Sequence, residues 1–410
     1  MERKIVENLL DEIDYEFART EPPASFPNLP RIPGERYLDQ AQYESELELF
    51  KTSWLMAGTL HEFPEAGSYK VMDRWGGASI VIVKGEDQQI RAFWNVCQHR
   101  GGPVVEAESG TLKSPNMRCL IHSWVYDLEG NLKGVPGRRD FHNDFNTDSV
   151  SLRPVRCDIW QGFVFINLDA KAVSLKDWLG SIYDEVTWFE GLKVASHGSK
   201  ILDCNWKVAI EANIEVYHVT TVHPETVSQS LDYRGSAHQL LPNGHSRMIV
   251  PNKGYDSAAA RRAVDNSDTP VHGLMEHANV SYLLFPNHLT PGGKRGDGAP
   301  SITLQQFWPL DIDRTLSEWY VMTPDSGERE LTPAENKSAA DYYGVIMDED
   351  SEMLDQIQKA MKSQVLEGFL TSYHERRIYH HEASIDKLLG DENVREDMRI
   401  PQLLPTVNVE

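Results

Sequence analysis

Cysteine is scarce in this chain, with four in 410 residues. That is too few for a disulfide scaffold, and a reducing compartment would keep them as thiols. Long apolar runs are missing as well. No stretch of 18 apolar residues occurs, so no membrane span is expected. The opening MERKIVENLLDEIDYEF carries no apolar run long enough for a secretory leader, so a cytoplasmic protein is expected. Positive charge is in short supply too: 40 Lys and Arg stand against 62 Asp and Glu, a formal net charge of −22. Such a surface repels phosphate backbones and anionic lipid, which argues against nucleic acid and membrane as partners. No internal repeat or low-complexity tract is visible. What is present, 40% hydrophobic and 25% charged residues, is a globular composition, and the length suits two or three domains with sizeable cores.

Residues 1–45 read as a helix followed by an arm, because Pro22, Pro23, Pro27, Pro30 and Pro33 stop any helix there. Residues 46–160 read as a small β domain. Ser79–Val83 and Ile90–Trp94 flank Gly85-Glu86-Asp87 as a hairpin, and glycines recur at 101, 102, 110, 130, 134 and 137. Residues 161–410 open on the strand-like Gly162–Asn167 and then mix helices (about 174–190, 205–223, 338–363 and 374–389) with strands such as Ser281–Phe285, Ser301–Phe307 and Leu316–Met322. That mixture predicts an α+β domain with a mostly antiparallel sheet.

The cysteines are unevenly placed. Cys97-Gln98-His99 is followed, with nineteen residues between, by Cys119-Leu120-Ile121-His122. Cys157 and Cys204 have no such histidine and read as small buried hydrophobes. Two thiolates and two imidazoles on short β loops can converge on a metal. The four ligands alone fit a zinc site and an iron–sulfur cluster equally well.

A second constellation lies in Glu211-Ala212-Asn213-Ile214-Glu215-Val216-Tyr217-His218 and the following Val219–Pro224. As one continuous helix, Trp206, Ile210, Asn213, Ile214 and Tyr217 would share a face, with Glu211, Glu215 and His218 on another. His223 falls about 140° from His218 on an ideal helix, so the two meet only if the helix ends. Pro224 supplies the reason, since it drives the residue before it out of the α region. The plain alternative is one core histidine and one exposed at a helix end. Downstream, helical geometry puts Asp350 in line with Met353, Leu354, Ile357 and Met361, while Asp348, Glu352 and Asp355 point to the polar side. A carboxylate on an apolar stripe costs several kcal/mol unless paired or metal-bound, so Asp350 needs a partner. Two imidazoles and one carboxylate form the facial triad of ferrous oxygenases.

With both sites in view, the chain resembles the large (α) subunit of Rieske non-haem iron oxygenases, from the Trp54 region to beyond Leu388. The carriers of that likeness are Cys97-x-His99-Arg100-Gly101, Cys119-x₂-His122 with Ser123–Gly130, the GFVFINLD strand at 162–169, Leu284–Asn287 and the Glu349-Asp350…Gln358 run. The resemblance implies an all-β Rieske domain and a helix-grip catalytic domain, a curved antiparallel sheet gripping a long helix. It implies a [2Fe–2S] cluster with Cys97 and Cys119 on one iron and His99 and His122 on the other. It implies a mononuclear Fe(II) on His218, His223 and Asp350, and Glu215 as an acid bridging His218 to His122 of the partner subunit. O₂ is then the co-substrate, and electrons come from NAD(P)H through a flavin reductase or ferredoxin to a homotrimer, with or without a β subunit. Leu120, Ile121 and Ser123 stand where the family usually has Pro, Tyr and Gly, and Ala212 stands where it often has Asn. Glu215 replaces the usual aspartate, as it does in members acting on carnitine-like quaternary ammonium compounds.

The expected function is therefore a terminal oxygenase hydroxylating an aromatic or other apolar skeleton. Its runner-up is a monooxygenase cleaving or demethylating a quaternary amine. From outside the enzyme class, a hydrophobe-binding module with a structural zinc site would be colourless. A pure electron carrier would leave His218, His223 and Asp350 without a use. The segment from Ser109 to Arg139 is locally basic, with Lys113, Arg118, Lys133, Arg138 and Arg139 against Asp127 and Glu129, and suits an acidic electron carrier.

Overall fold

The computed structural model describes residues 1–74, 78–294, 300–324 and 333–407. It separates into two compact units, Phe50–Leu175 and Met1–Leu49 together with Lys176–Glu410.

The first unit is built on β strands. Its larger sheet runs in the order Leu55–Thr59, Phe163–Asn167, Pro154–Trp160, Ile90–Trp94, Ile80–Lys84, Ser68–Met72 and Ser109–Thr111. The expected hairpin is present, with Ile80 opposite Trp94 and Lys84 opposite Ile90. A second sheet joins Asn116–Arg118, Val125–Asp127 and Leu132–Gly134. Val81, Val83, Phe93, Met117, Trp124, Tyr126, Leu128 and Leu132 fill one core, and Cys97 and Cys119 belong to it.

The second unit holds a curved antiparallel sheet in the order Leu192–Leu202, Arg314–Pro324, Pro300–Asp311, His288–Leu289, Ala278–Leu284, Ser246–Pro251 and Ala237–Leu240. The long helix Pro333–Lys362 lies against it, with Gln305 Nε2 donating to Met347 Sδ at 3.2 Å. This is the helix-grip arrangement. Along that helix Met347, Asp350, Leu354, Gln358 and Met361 are buried, whereas Met353 and Ile357 are half-buried. The buried stripe thus passes through Asp350 but turns slightly from the expected one.

The expected helix over 205–223 is two pieces, Trp206–Asn213 and Val219–Val222. Between them the Glu215 carboxylate accepts from the backbone N–H groups of Tyr217 and His218, diverting donors that a continuous helix would use. The shared face therefore dissolves: Tyr217 is exposed, and Glu211 and Glu215 go to different places. His223 caps the second piece with φ −117° and ψ 48°, outside the α region, as Pro224 requires.

Charged side chains are buried where the N-terminal arm meets Trp206–Asn213. Lys207 Nζ donates to Glu46 Oε1 (2.6 Å) and to the Arg36 carbonyl (2.8 Å), and Trp206 Nε1 donates to Glu46 Oε2 (2.9 Å). Arg36 bonds Glu382 (2.5 Å) and Asp386 (2.7 Å), and Tyr37 donates to Glu211 (2.9 Å).

His380 and His381 lie inside the helix Arg376–Leu389, and His374 lies in the short turn Tyr373–Glu375 just before it. Burial, the dominant cause, lowers His245, His380 and His381 to about 4 and His288 to about 3. Above pH 6.5 these rings are neutral whether the chain is folded or not. Below it the unfolded chain takes up protons that the fold refuses until about pH 4. Stability should therefore fall across that window, each ring contributing on the order of 1–3 kcal/mol. Unfolding midpoints measured from pH 7 to 4 check this, and a flat profile contradicts it.

Candidate functional site

The first group of ligands sits on two loops. One, Asn95–Pro103, follows the strand Ile90–Trp94; the other, Cys119–Trp124, joins Asn116–Arg118 to Val125–Asp127. Backbone bonds shape both: Cys97 N–H donates to Gly102 O (2.8 Å), Gly101 N–H to Cys97 O (2.9 Å), and Cys119 N–H to Trp124 O (2.8 Å). Cys97 and Cys119 are buried, and the His99 and His122 rings lie 4.6 Å apart by centroid. Trp124 stacks on His99 at 4.7 Å and 11°. His99 Nδ1 is buried without a hydrogen-bond partner, a lone pair whose burial is costly unless something binds it. The four residues therefore fit a [2Fe–2S] cluster.

Ser123 adopts φ +57°, a left-handed conformation that glycine takes without strain; for serine it costs about 1 kcal/mol. Leu120 and Ile121 are exposed at the tip of this loop. The Tyr126 hydroxyl accepts from Gln98 N–H (3.0 Å), which leaves its own hydrogen for Cys97 Sγ at 3.3 Å. A donor to a cluster thiolate raises the cluster's reduction potential. The variant Tyr126→Phe should show a lower potential in a redox titration followed by visible absorption; an unchanged value removes the donor role. In the basic segment, Lys133 pairs with Asp127 (3.2 Å) and Arg138 bonds the carbonyls of His142 and Phe145, while Arg139 stays exposed.

The second group is assembled by the break after Asn213 and by the long helix. One ligand atom from each of His218, His223 and Asp350 lies within 4.8 Å of the others. His223 Nε2 is 2.9 Å and His218 Nε2 3.8 Å from Asp350 Oδ1, and Asp350 is buried. Both imidazoles are held from behind. His218 Nδ1 faces Glu215 Oε1, and His223 Nδ1 faces Glu349 Oε2 at 2.7 Å. Burial works to lower His223, but its bonds to Asp350 and Glu349 prevail and its pKa is raised. Two Nε2 atoms and a carboxylate oxygen converging on one point fit a facial-triad iron site. The Asp350 stripe was readable in the sequence. Glu349 as a partner of His223 was not, because contacts between segments so far apart leave no local pattern.

A third convergent set, Glu211, His381 and Glu382, is fully buried. Burial and the neighbouring Glu382 push Glu211 well above the ordinary carboxylate range. Burial opposes ionisation of Glu382, but Arg36 and Lys207 outweigh it and hold the group at about 2. We read this set as a neutralised charge network around Tyr37 and Arg36. Glu211, expected beside Glu215 and His218, thus belongs elsewhere.

Residues 53–150 match the Rieske [2Fe-2S] domain family, and residues 183–391 match the family described as ring hydroxylating alpha subunit (catalytic domain). The chain belongs to the α subunits of Rieske oxygenases. It is 30% identical over 347 residues to the carnitine monooxygenase oxygenase subunit of Escherichia coli (strain K12), covering 82% of this chain and 86% of that one. It is also 30% identical over 280 residues to the 2-aminobenzenesulfonate 2,3-dioxygenase subunit alpha of Alcaligenes sp, covering 64% and 70%. The crystal structure of a quaternary ammonium Rieske monooxygenase with L-carnitine superposes with a TM-score of 0.71 at 22% identity, covering 89% of this chain and 99% of that one. Naphthalene 1,2-dioxygenase from Rhodococcus sp. bound to indole gives a TM-score of 0.71 at 20% identity, covering 94% and 97%. As a Rieske oxygenase the chain is an oxidoreductase using O₂, with a [2Fe–2S] cluster and a mononuclear non-haem iron as cofactors. Such α subunits work with electron-transfer partners and form multimers. No helix among the described residues is long and apolar enough to cross a membrane.

Proposed function

We propose that this chain is the terminal oxygenase component of a cytoplasmic multicomponent system that hydroxylates an aromatic or other apolar organic substrate. Electrons would come from NAD(P)H through a reductase or ferredoxin. Cys97, His99, Cys119 and His122 would hold the cluster within the first unit, which was expected at 46–160 but continues through the strand Phe163–Asn167 to Leu175. His218, His223 and Asp350 would hold the iron within the second unit. Residues 1–45 pack on that second domain, a placement supported by the bonds of Arg36 and Tyr37 to Glu382 and Glu211. When bound, the cluster stores single electrons and the ferrous ion activates dioxygen. The residues do the rest: Glu215 fixes the Nδ1 proton of His218 and turns Nε2 toward Asp350, and in a homotrimer, alone or with a β subunit, it would link His218 to His122 of the partner subunit. The convergence of His218, His223 and Asp350 is the observation that carries this reading.

The second reading, cleavage or demethylation of a quaternary ammonium substrate, is favoured by Glu215 and by the carnitine monooxygenase relatives. Metal analysis tests the common core: about three irons and two sulfides per chain are expected. A colourless zinc protein would overturn it. Substrate-dependent O₂ uptake with a trimethylammonium acid against an aromatic hydrocarbon decides between the two substrates.

A further inference from the structure

His223 is gripped at both ring edges by consecutive residues of one helix. Asp350 Oδ1 stands 2.9 Å from Nε2, and Glu349 Oε2 stands 2.7 Å from Nδ1. Glu349 is itself held, because the Thr226 hydroxyl donates to the same Oε2 at 2.7 Å. Thr226 lies three residues past His223, so one short segment supplies both the imidazole and the donor that aims its carboxylate. The Glu349 side chain is a quarter exposed, whereas that of Asp350 is almost wholly buried. The inner carboxylate is thus placed for a metal and the outer one for the back of the ring.

Resting on the assignment of His218, His223 and Asp350 as the iron site, we infer that Glu349 is the positioning residue of that site, set by Thr226. It fixes the Nδ1–H tautomer of His223 so that the Nε2 lone pair faces the metal, and its charge makes the imidazole a stronger donor. The site is then doubly braced. Glu215 stands behind His218 and Glu349 behind His223, so each neutral imidazole has an anion on its far nitrogen. The two braces are not equivalent. Glu215 lies between the two helical pieces and also ties down backbone N–H groups, while Glu349 depends on the long helix that delivers Asp350. Any shift of that helix therefore moves a ligand and the brace of a second ligand together, and the metal senses the helix twice.

The test is Fe(II) affinity of the mononuclear site, measured by titrating the cluster-loaded protein after selective removal of the mononuclear iron. The unfolding midpoint and far-UV circular dichroism report that the catalytic unit is folded, and the cluster absorption reports the same of the other unit. Glu349→Ala should weaken Fe(II) binding roughly 10- to 100-fold. Glu349→Gln keeps an acceptor for Nδ1–H but loses the charge, and should fall between. Thr226→Val, which leaves the helix untouched, should give a smaller loss in the same direction. Co(II) substituted at the site should change its visible d–d bands in Glu349→Ala and recover them largely in Glu349→Gln. Wild-type affinity and unaltered Co(II) bands in Glu349→Ala would overturn the inference. An unmodified protein that binds no Fe(II) at this position would instead overturn the iron-site assignment beneath it.

Discussion

Glu215→Gln should retain cluster and mononuclear iron at normal stoichiometry yet lose coupled turnover roughly 100-fold. The Glu215 carboxylate uses one oxygen for His218 Nδ1 and the other for the backbone N–H groups of Tyr217 and His218. An amide can still accept at one position, but its NH₂ meets either a backbone donor or an imidazole N–H at the other. The break between the two helical pieces should then loosen without unfolding, because Ile214, Val216 and Val219 on either side remain buried. The charge that would link His218 to His122 of the partner subunit is gone. The measurement is product formed per electron with the natural reductant, set beside iron and sulfide content. Turnover equal to wild type would mean that Glu215 serves only the local backbone. Loss of the mononuclear iron would mean that it acts chiefly as a brace, as inferred for Glu349.

What the sequence disclosed follows the range over which each signal acts. The proposed cluster residues Cys97, His99, Cys119 and His122 are legible because each cysteine has a histidine two or three residues on, in one of two tight loops. Asp350 was legible because a carboxylate on an apolar helical stripe is locally anomalous, and it lies 2% exposed. The continuous helix over 205–223 was a misreading with a physical source. Its apolar spacing is helical, but a glutamate side chain took over the backbone donors at the break, a competition that propensity does not register. Strands such as Leu192–Leu202 and Ser246–Pro251 were missed for a related reason. Between its ends the first is only half-buried or exposed and its sequence shows no apolar–polar alternation, and the second is buried throughout, so neither stands out as a strand against helical neighbours. Charged residues at the base of the catalytic unit were missed most completely. Arg36, Glu46, Lys207 and Glu382 look like surface residues in a linear sequence, and only the fold makes them core.

That buried set carries the largest stability effect expected here. Lys207→Met should destabilise the catalytic unit by about 3–5 kcal/mol. Lys207 and Glu46 are both 0% exposed and 2.6 Å apart, so removing the ammonium leaves a carboxylate out of water with, among the described residues, Trp206 Nε1 and Gln42 Nε2 as its remaining donors. The lost bond to the Arg36 carbonyl also releases the arm that carries Arg36 and Tyr37 to Glu382 and Glu211. Because Lys207 opens the helix whose far end leads to Glu215 and His218, the damage should reach the iron site: faster proteolysis within the first 50 residues and partial loss of the mononuclear iron, with the cluster spectrum intact. The double variant Lys207→Met with Glu46→Met should regain most of the stability, since a buried ion pair replaced by apolar side chains of similar size is often neutral or better. Denaturant unfolding of the two single variants and the double variant gives the coupling between the partners. A single variant as stable as wild type would show that Glu46 finds a proton or water in place of Lys207, and that the bonds of Arg36 and Tyr37 hold the arm without it.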